Sequence, residues 1–449
     1  MSEPVVVLGG SPDGLRAAAA LAARGHTVTL VCPGSSVSGV TYEDLPIDTG
    51  AAFVTNYLAE LTREVMGAMS PVAGVEAPQS AVLARGRAAE LPLSRADVAR
   101  LFDAGVALPA ALAWTELRFR HRFGEYLGGW SELRTYQDWV RFHFGEPVLQ
   151  HVYGPYCKKR WGSPEEVGAA VARQHHGVYE DGSMLAPSAG PAAAIAAQLE
   201  RLQGGAHQIL LEQEVQSLRV EDGRVVAVET QDGAIDVAGP LFSGHPPARM
   251  LDWLTDALPV EEVGESRHLR CRHGVQVLLP VEKEPPFFET HIVEPNVSAW
   301  RMIRPSDLPG CSALAGHVML HLTVDASDPF WEVSDREVGE RLGAQLGRTG
   351  YVAVRKGEVR VNRLADHHPL WAHTFHPQWS RAMVAMNTLG VRLIGRAGAF
   401  AQFDLHGEMQ LLEGLLDQEL VDQHELHRMF VDPPVGNDAR LSLRRFITN

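Results

Sequence analysis

Val5-Val6-Val7-Leu8-Gly9-Gly10-Ser11-Pro12-Asp13-Gly14 opens the chain with an apolar run closed by a glycine-rich turn. Four consecutive aliphatic residues read as a strand buried on both faces, the kind found inside parallel sheets. From Leu15 to Arg24 the chain is rich in alanine and predicts a helix, which Gly25 is placed to terminate. Thr27 to Val31 then alternates as a second strand. Strand, glycine turn, helix and strand within about thirty residues make the βαβ unit of a dinucleotide-binding fold.

In such a unit the first glycine permits the tight turn, the second lets a pyrophosphate approach the backbone, and the third lets the helix pack on the strand. Gly9 and Gly14 take the first and third places. Ser11 takes the second and sets a β-carbon where the phosphate comes close. Asp13 adds a negative charge at the helix N-terminus, where the helix dipole favours an anion of the ligand. The second strand runs Leu30-Val31-Cys32, so Cys32 stands where an acidic residue accepts hydrogen bonds from ribose hydroxyls. A thiol is a poor acceptor, and a small buried residue at a strand end is the plainer reading. The turn either binds a diphosphate or is kept for folding alone. Cys32→Glu with Ser11→Gly is expected to raise dinucleotide affinity if the cleft is otherwise intact.

At 449 residues the chain is too long for one core, and two joined domains are expected. Its 45% hydrophobic and 21% charged composition is that of an ordinary globular protein. The 42 Gly and 28 Pro are scattered and mark no disordered tract. No apolar run approaches the roughly 20 residues of a membrane span, and the N-terminus lacks a signal-peptide pattern, so a cytoplasmic protein is expected. A formal charge of -15 argues against nucleic acid or an anionic membrane as partner, and leaves a small molecule. Cys32, Cys157, Cys271 and Cys311 are far apart and form no CxxC pair, which implies a reducing compartment.

Residues 95 to 150 read as helical, with Trp114, Leu117, Phe119, Phe123 and Tyr126 at helical spacing. Trp139, Phe142 and Phe144 belong with them as ordinary core. Pro191 to Leu202 predicts another helix. Val215, Leu218 and Val220, then Val225 to Val228, flank Glu221-Asp222-Gly223 and predict a hairpin. Val275 to Leu279, His317 to Val324 and Val391 to Ile394 read as strands, and a helix is expected near Gly407 to Leu420. Of 20 histidines, His175-His176, His367-His368, His373 and His376 are the densest groups. None joins a cysteine or carboxylate at a zinc spacing, and Pro369 and Pro377 argue against one helix carrying His373 and His376, so no metal is expected. No Gly-x-Ser-x-Gly elbow follows a strand, which weighs against a serine hydrolase.

The opening VVVLGGSPDGLRAAAALAARGHTVTLV, followed by Ile47-Asp48-Thr49-Gly50-Ala51, resembles that of flavoproteins related to amine oxidases. That superfamily includes protoporphyrinogen oxidase, phytoene desaturase and UDP-galactopyranose mutase. Tyr156-Cys157-Lys158-Lys159-Arg160-Trp161-Gly162 with Pro164-Glu165 is similar to a motif of the mutase branch. Gly395-Arg396-Ala397-Gly398-Ala399-Phe400 with Asp404-Leu405-His406 is similar to the carboxy-terminal flavin motif. The three stretches span the chain in family order.

The resemblance implies an α/β architecture in which an FAD-type Rossmann domain is interleaved with a substrate domain of antiparallel sheet plus helices. The Rossmann domain would take residues 1–75, 200–250 and 385–430. The substrate domain would take 76–199 and 251–384, with 431–449 as a tail. It further implies that Gly9, Gly10 and Gly14, with Ser11 between them, face the diphosphate of FAD, and that Val215 offers its backbone to the adenine. Gly395, Arg396 and Asp404 would lie near the flavin and its ribityl chain, and Arg173 would bind substrate. Two departures are plain: Ser38-Gly39-Val40 lacks the family's arginine, and Ala52 replaces the histidine that the mutase branch sets beside the flavin. The function implied is a flavin-dependent oxidoreductase acting on a small organic substrate by hydride transfer to FAD. The alternatives are an isomerase, cyclase or lyase that keeps the fold without redox use of FAD, and a non-catalytic binding subunit.

Overall fold

Val5–Leu8 is fully buried and forms the centre of a five-stranded parallel sheet, as a run of four aliphatic residues requires. The order across this sheet is Val391–Leu393, Leu241–Ser243, Val5–Leu8, Val28–Val31, Gln208–Leu210. Strands from the start, the middle and the end of the chain therefore lie side by side. In the computed structural model the described residues are 4–34, 54–55, 72–75, 79–91, 93–122, 133–176, 184–187, 191–255, 257–258, 264–401, 408, 411–412 and 414–416.

The first helix, Pro12–Ala23, buries its alanines against this sheet and ends at Arg24, with Gly25 at φ 85°. Beside the sheet lies a three-stranded antiparallel meander, Val215–Glu221, Arg224–Thr230 and Gly233–Asp236. Its first turn puts Asp222 at φ 52° and Gly223 at φ 73°, the left-handed pair that a two-residue hairpin needs.

A second, seven-stranded sheet runs in the order Arg360–Pro369, Cys271–Pro280, His317–Val324, Arg301–Ile303, Glu289–Ile292, Ser80–Ala84, Arg87–Glu90. All its pairings are antiparallel except that of Glu289–Ile292 with Ser80–Ala84. One face is aliphatic: Val275, Val277, Leu320 and Leu322 pack with Val338, Leu342 and Leu346 of the helix Asp335–Thr349.

Of the aromatic residues expected as core, Trp139 and Phe144 of the helix Tyr136–Phe144 are buried and Phe142 is half-buried, while the side chains of Trp114, Leu117 and Phe119 are outside the described set. That helix starts in a capping box of Thr135 and Asp138 and stops at Gly145, φ 85°. Beyond it, the chain passes through one π-helical turn, Leu149–Tyr153, into the helix Gly154–Arg160. Phe123 and Tyr126 lie outside the described residues. A helix does cover His376 and Pro377, but it begins at Phe375, with the proline in its first turn, and leaves His373 outside. Among the described residues no helix is long and apolar enough to cross a membrane.

Candidate functional site

The glycine turn shapes one wall of a cleft of about 430 Å3. Gly9 sits at φ 113°, where a side chain would be strained. A β-carbon on Gly14 would fall 2.0 Å from the Gly9 carbonyl oxygen, so only glycine lets the helix start this close to the strand. Gly9, Gly10, Ser11, Pro12 and Asp13 all line the cleft, and Val215 lines it opposite, at the head of the hairpin. His367 and Ala397 reach it from the second sheet and from the carboxy-terminal motif.

The helix N-terminus that faces the cleft is short of free donors. Pro12 is its first residue and has no N–H. The N–H of Gly14 donates to the Ser11 hydroxyl at 3.4 Å, so Ser11 caps the helix as well as filling the glycine position. His245 lies beside Gly9, and burial, then Arg249, hold its imidazole down at about 4, so it adds no positive charge at neutral pH. Arg249 does line the cleft, 3.6 Å from the carboxylate of Asp366.

Cys32 is the small buried residue at a strand end of the plainer reading, and the correction falls on the Cys32→Glu expectation. Its side chain is fully buried in the hydrophobic core and burial pushes its thiol up to about 12, while Val31, Pro33 and Gly34 are the residues that line the cleft. A glutamate at this position would bury a carboxylate in apolar surroundings, so Cys32→Glu does not repair a ribose contact.

Asp13 also departs from expectation. Its carboxylate turns towards the carboxy-terminal motif, ion-pairs with Arg16, and accepts the Arg396 backbone N–H at 3.4 Å. Gly395, at φ 68°, is required here, because a β-carbon would overlap that carboxylate. Arg16 also reaches Glu408 at 2.7 Å, and Arg396 lies 3.7 Å from Glu408 and 3.2 Å from His367 Nε2. Burial pushes Asp13 up, but Arg16, the hydrogen bond to Glu408, Arg396 and His367 outweigh it, and its carboxyl sits below the usual value. Burial, then the Asp13 charge, push Glu408 up to about 8. The pair thus shares one proton at neutral pH, and Asp13 presents a compensated charge.

Of the residues expected at the site, the structure brings Gly9, Gly10, Ser11 and Val215 to one cleft, with Gly14 packed behind the turn. Gly395 and Arg396 are buried and joined to it through Asp13. Arg173 lies on the helix Ala169–His176, and its side chain is outside the described set. Asp404, Ser38-Gly39-Val40 and Ala52 are outside the described residues.

A second group of polar residues had no motif to announce it. Directly paired residues of a sheet share a face. The registers Asn362↔Gln276, Gln276↔His321, His321↔Arg301 and Arg301↔His291 therefore lay a polar row across five strands of the second sheet. Asn362 donates to Gln276 at 3.1 Å, and Arg301 is 2.5 Å from Glu289. Burial pushes Glu289 up, but Arg301 and His291 outweigh it and hold its carboxyl well below the ordinary range. The row faces Arg160, Trp300, His368 and Arg396 across a chamber of about 20 Å3, and Leu364 and His367 line both chamber and cleft. The sequence signal was a lone polar residue inside an aliphatic strand: Gln276 between Val275 and Val277, and His321 between Leu320 and Leu322.

No protein-family model matches the chain, and no curated protein sequence matches it. Solved structures do resemble it. A candidate protoporphyrinogen oxidase from Exiguobacterium, 17% identical, superposes with a TM-score of 0.69 over 93% of this chain and 100% of that chain. A reduced UDP-galactopyranose mutase, 14% identical, gives 0.68 over 100% of this chain and 98% of that one. A putrescine oxidase redesigned in its cofactor binding, 14% identical, gives 0.60 over 92% and 98%. With the parallel sheet, the glycine turn and the mixed second sheet in place, the chain has the α/β fold of the superfamily of amine oxidases, protoporphyrinogen oxidases and UDP-galactopyranose mutases.

Proposed function

We propose that the chain is a flavin-dependent oxidoreductase acting on a small organic substrate, with FAD held loosely in the cleft. The observation that carries this reading is the convergence of the glycine turn, Val215 and Ala397 of the carboxy-terminal motif on one cleft, with Arg396 joined to the turn through Asp13. The structural neighbours that are oxidoreductases support it. The residues fit such a cofactor with fewer donors than an intact fingerprint offers. Gly9, Gly10 and Ser11 would hold the diphosphate, with Gly14 allowing the helix to close. Val215 would meet the adenine, and Gly395, Arg396 and Asp404 the flavin end, with Arg173 toward substrate. When bound, FAD would supply hydride acceptance from a substrate carbon. The chain itself would orient the substrate and exclude water, which the buried polar row and the chamber beside it suit. The division into domains expected from the sequence is part of the same proposal, as is a cytoplasmic protein with a small-molecule partner.

The absorption spectrum of purified protein, followed by titration with FAD, tests the reading. Substoichiometric flavin that added FAD restores is the expected result. A colourless protein that takes up none would overturn it. The second reading, an isomerase, cyclase or lyase without redox use of FAD, draws on Pro12 and on the inward Cys32. Turnover without added flavin would mark that case and separate it from a non-catalytic binding subunit.

A further inference from the structure

Among the described residues, the chamber between the polar row and Arg160 holds one guanidinium, that of Arg160, without an ion-paired carboxylate. Arg160, Arg301 and Arg396 line it. Glu289 pairs with Arg301, and Glu408 lies 3.7 Å from Arg396. Arg160 has no carboxylate partner among the described residues. Its Nη1 donates to the Tyr156 hydroxyl at 2.8 Å, and its guanidinium lies 4.5 Å from the Trp161 ring and 4.3 Å from the Trp300 ring. That sandwich fixes the plane of the guanidinium and leaves its Nε buried without a partner. His321, 5% exposed, lines the same chamber and leaves its Nε2 without a partner as well. Two unpartnered buried nitrogens at one chamber are costly unless a ligand meets them.

We propose that this chamber receives the carboxylate of an anionic substrate, with Leu364 and His367 standing between it and the cleft. The Arg160 guanidinium, with no carboxylate of its own among the described residues, selects an anion, and its Nε–H offers one carboxylate oxygen a charge-assisted hydrogen bond. The space of about 20 Å3 is that of roughly one water, so its side chains must part to take both oxygens of a carboxylate. The four oxygens of a phosphate or sulfate would need a wider opening still. One carboxylate oxygen accepts from Arg160 Nε and the other from His321 in its Nε2–H tautomer. Burial, then Arg301, hold His321 far below its ordinary value, so it stays neutral and donates one proton without adding charge. The inference rests on the proposed reading of the chain as an enzyme with a small organic substrate, and it does not require FAD.

The test is calorimetric titration of the full-length protein with propionate, propionamide and phosphate at constant ionic strength, after its flavin content has been read by absorption. Propionate should bind, while propionamide and phosphate should not. Arg160→Gln and, separately, His321→Phe should each weaken propionate by about ten-fold or more, with an unchanged circular dichroism spectrum. Propionamide binding as well as propionate, or phosphate displacing propionate, overturns the inference on the wild-type protein alone, whether or not the variants fold. Unaltered propionate affinity in both folded variants overturns it too. Colourless protein that takes up no FAD and still binds propionate sinks the flavin reading and keeps this one. Yellow protein indifferent to propionate does the reverse.

Discussion

Pro12 is well placed for folding and badly placed for binding. Its fixed φ suits the first position of a helix, yet the N–H it lacks is one that a diphosphate would meet. Ser11 then occupies the Gly14 N–H. Ser11→Gly with Pro12→Ala returns two donors at the cost of a few tenths of a kcal/mol in capping. FAD affinity, read by fluorescence titration, should rise by about ten-fold, the value of one recovered charge-assisted hydrogen bond. No change would mean that the diphosphate does not lie at this turn. Cys32→Glu is predicted to do harm instead: the side chain is buried in the core, and a carboxylate there costs on the order of 3 kcal/mol or more. A melting temperature equal to that of the native protein would show that the strand end can turn its side chain outward.

At the scale of elements, the parts that follow local rules were legible. Val5–Leu8, Val28–Val31, the helix between them and the Asp222-Gly223 hairpin need only periodicity and turn chemistry, and all four stand where expected, the helix starting three residues early at Pro12. The polar row was not legible, because it is assembled by register across five strands distant in sequence. Lys159 shows the same limit. The run Lys158-Lys159-Arg160 looks like one basic patch, but its three side chains do different work. Lys158 is exposed, and Arg160 lies between two indoles. Lys159 Nζ donates to the carbonyls of Ile292, Glu294 and Ala299 at 2.8, 2.6 and 3.3 Å, which fastens the helix Gly154–Arg160 to the second sheet. Lys159→Met should therefore cost about 2 kcal/mol in urea denaturation, since it leaves carbonyls without donors. Lys158→Met should cost almost nothing, and equal losses in the two would refute the distinction.

Across the whole molecule, one buried cluster ties the sheets together and makes stability depend on pH. Asp13 and Arg16 belong to the first helix, Arg396 to the carboxy-terminal motif, and His367 to the long strand of the second sheet; Glu408 joins them. The folded protein holds Glu408 at about 8, against 4.5 as the ordinary value, through burial and the Asp13 charge. Above about 4.5 the unfolded chain releases a proton that the folded chain keeps, so the folded state binds more protons and stability falls as pH rises. The contribution is full below 4.5 and is gone above about 8. Its slope is at most about 1.4 kcal/mol per pH unit, the limit for one proton. Asp13 and Glu289 act with the opposite sign, because their lowered values make stability fall only in acid. Urea denaturation across about pH 5 to 8 should thus show declining stability in the native protein. Glu408→Gln keeps an N–H to offer Asp13 but has no proton to lose, and its stability should stay nearly level over the same range. An equal decline in the variant would place the titrating group elsewhere and break the link between this cluster and the joining of the two sheets.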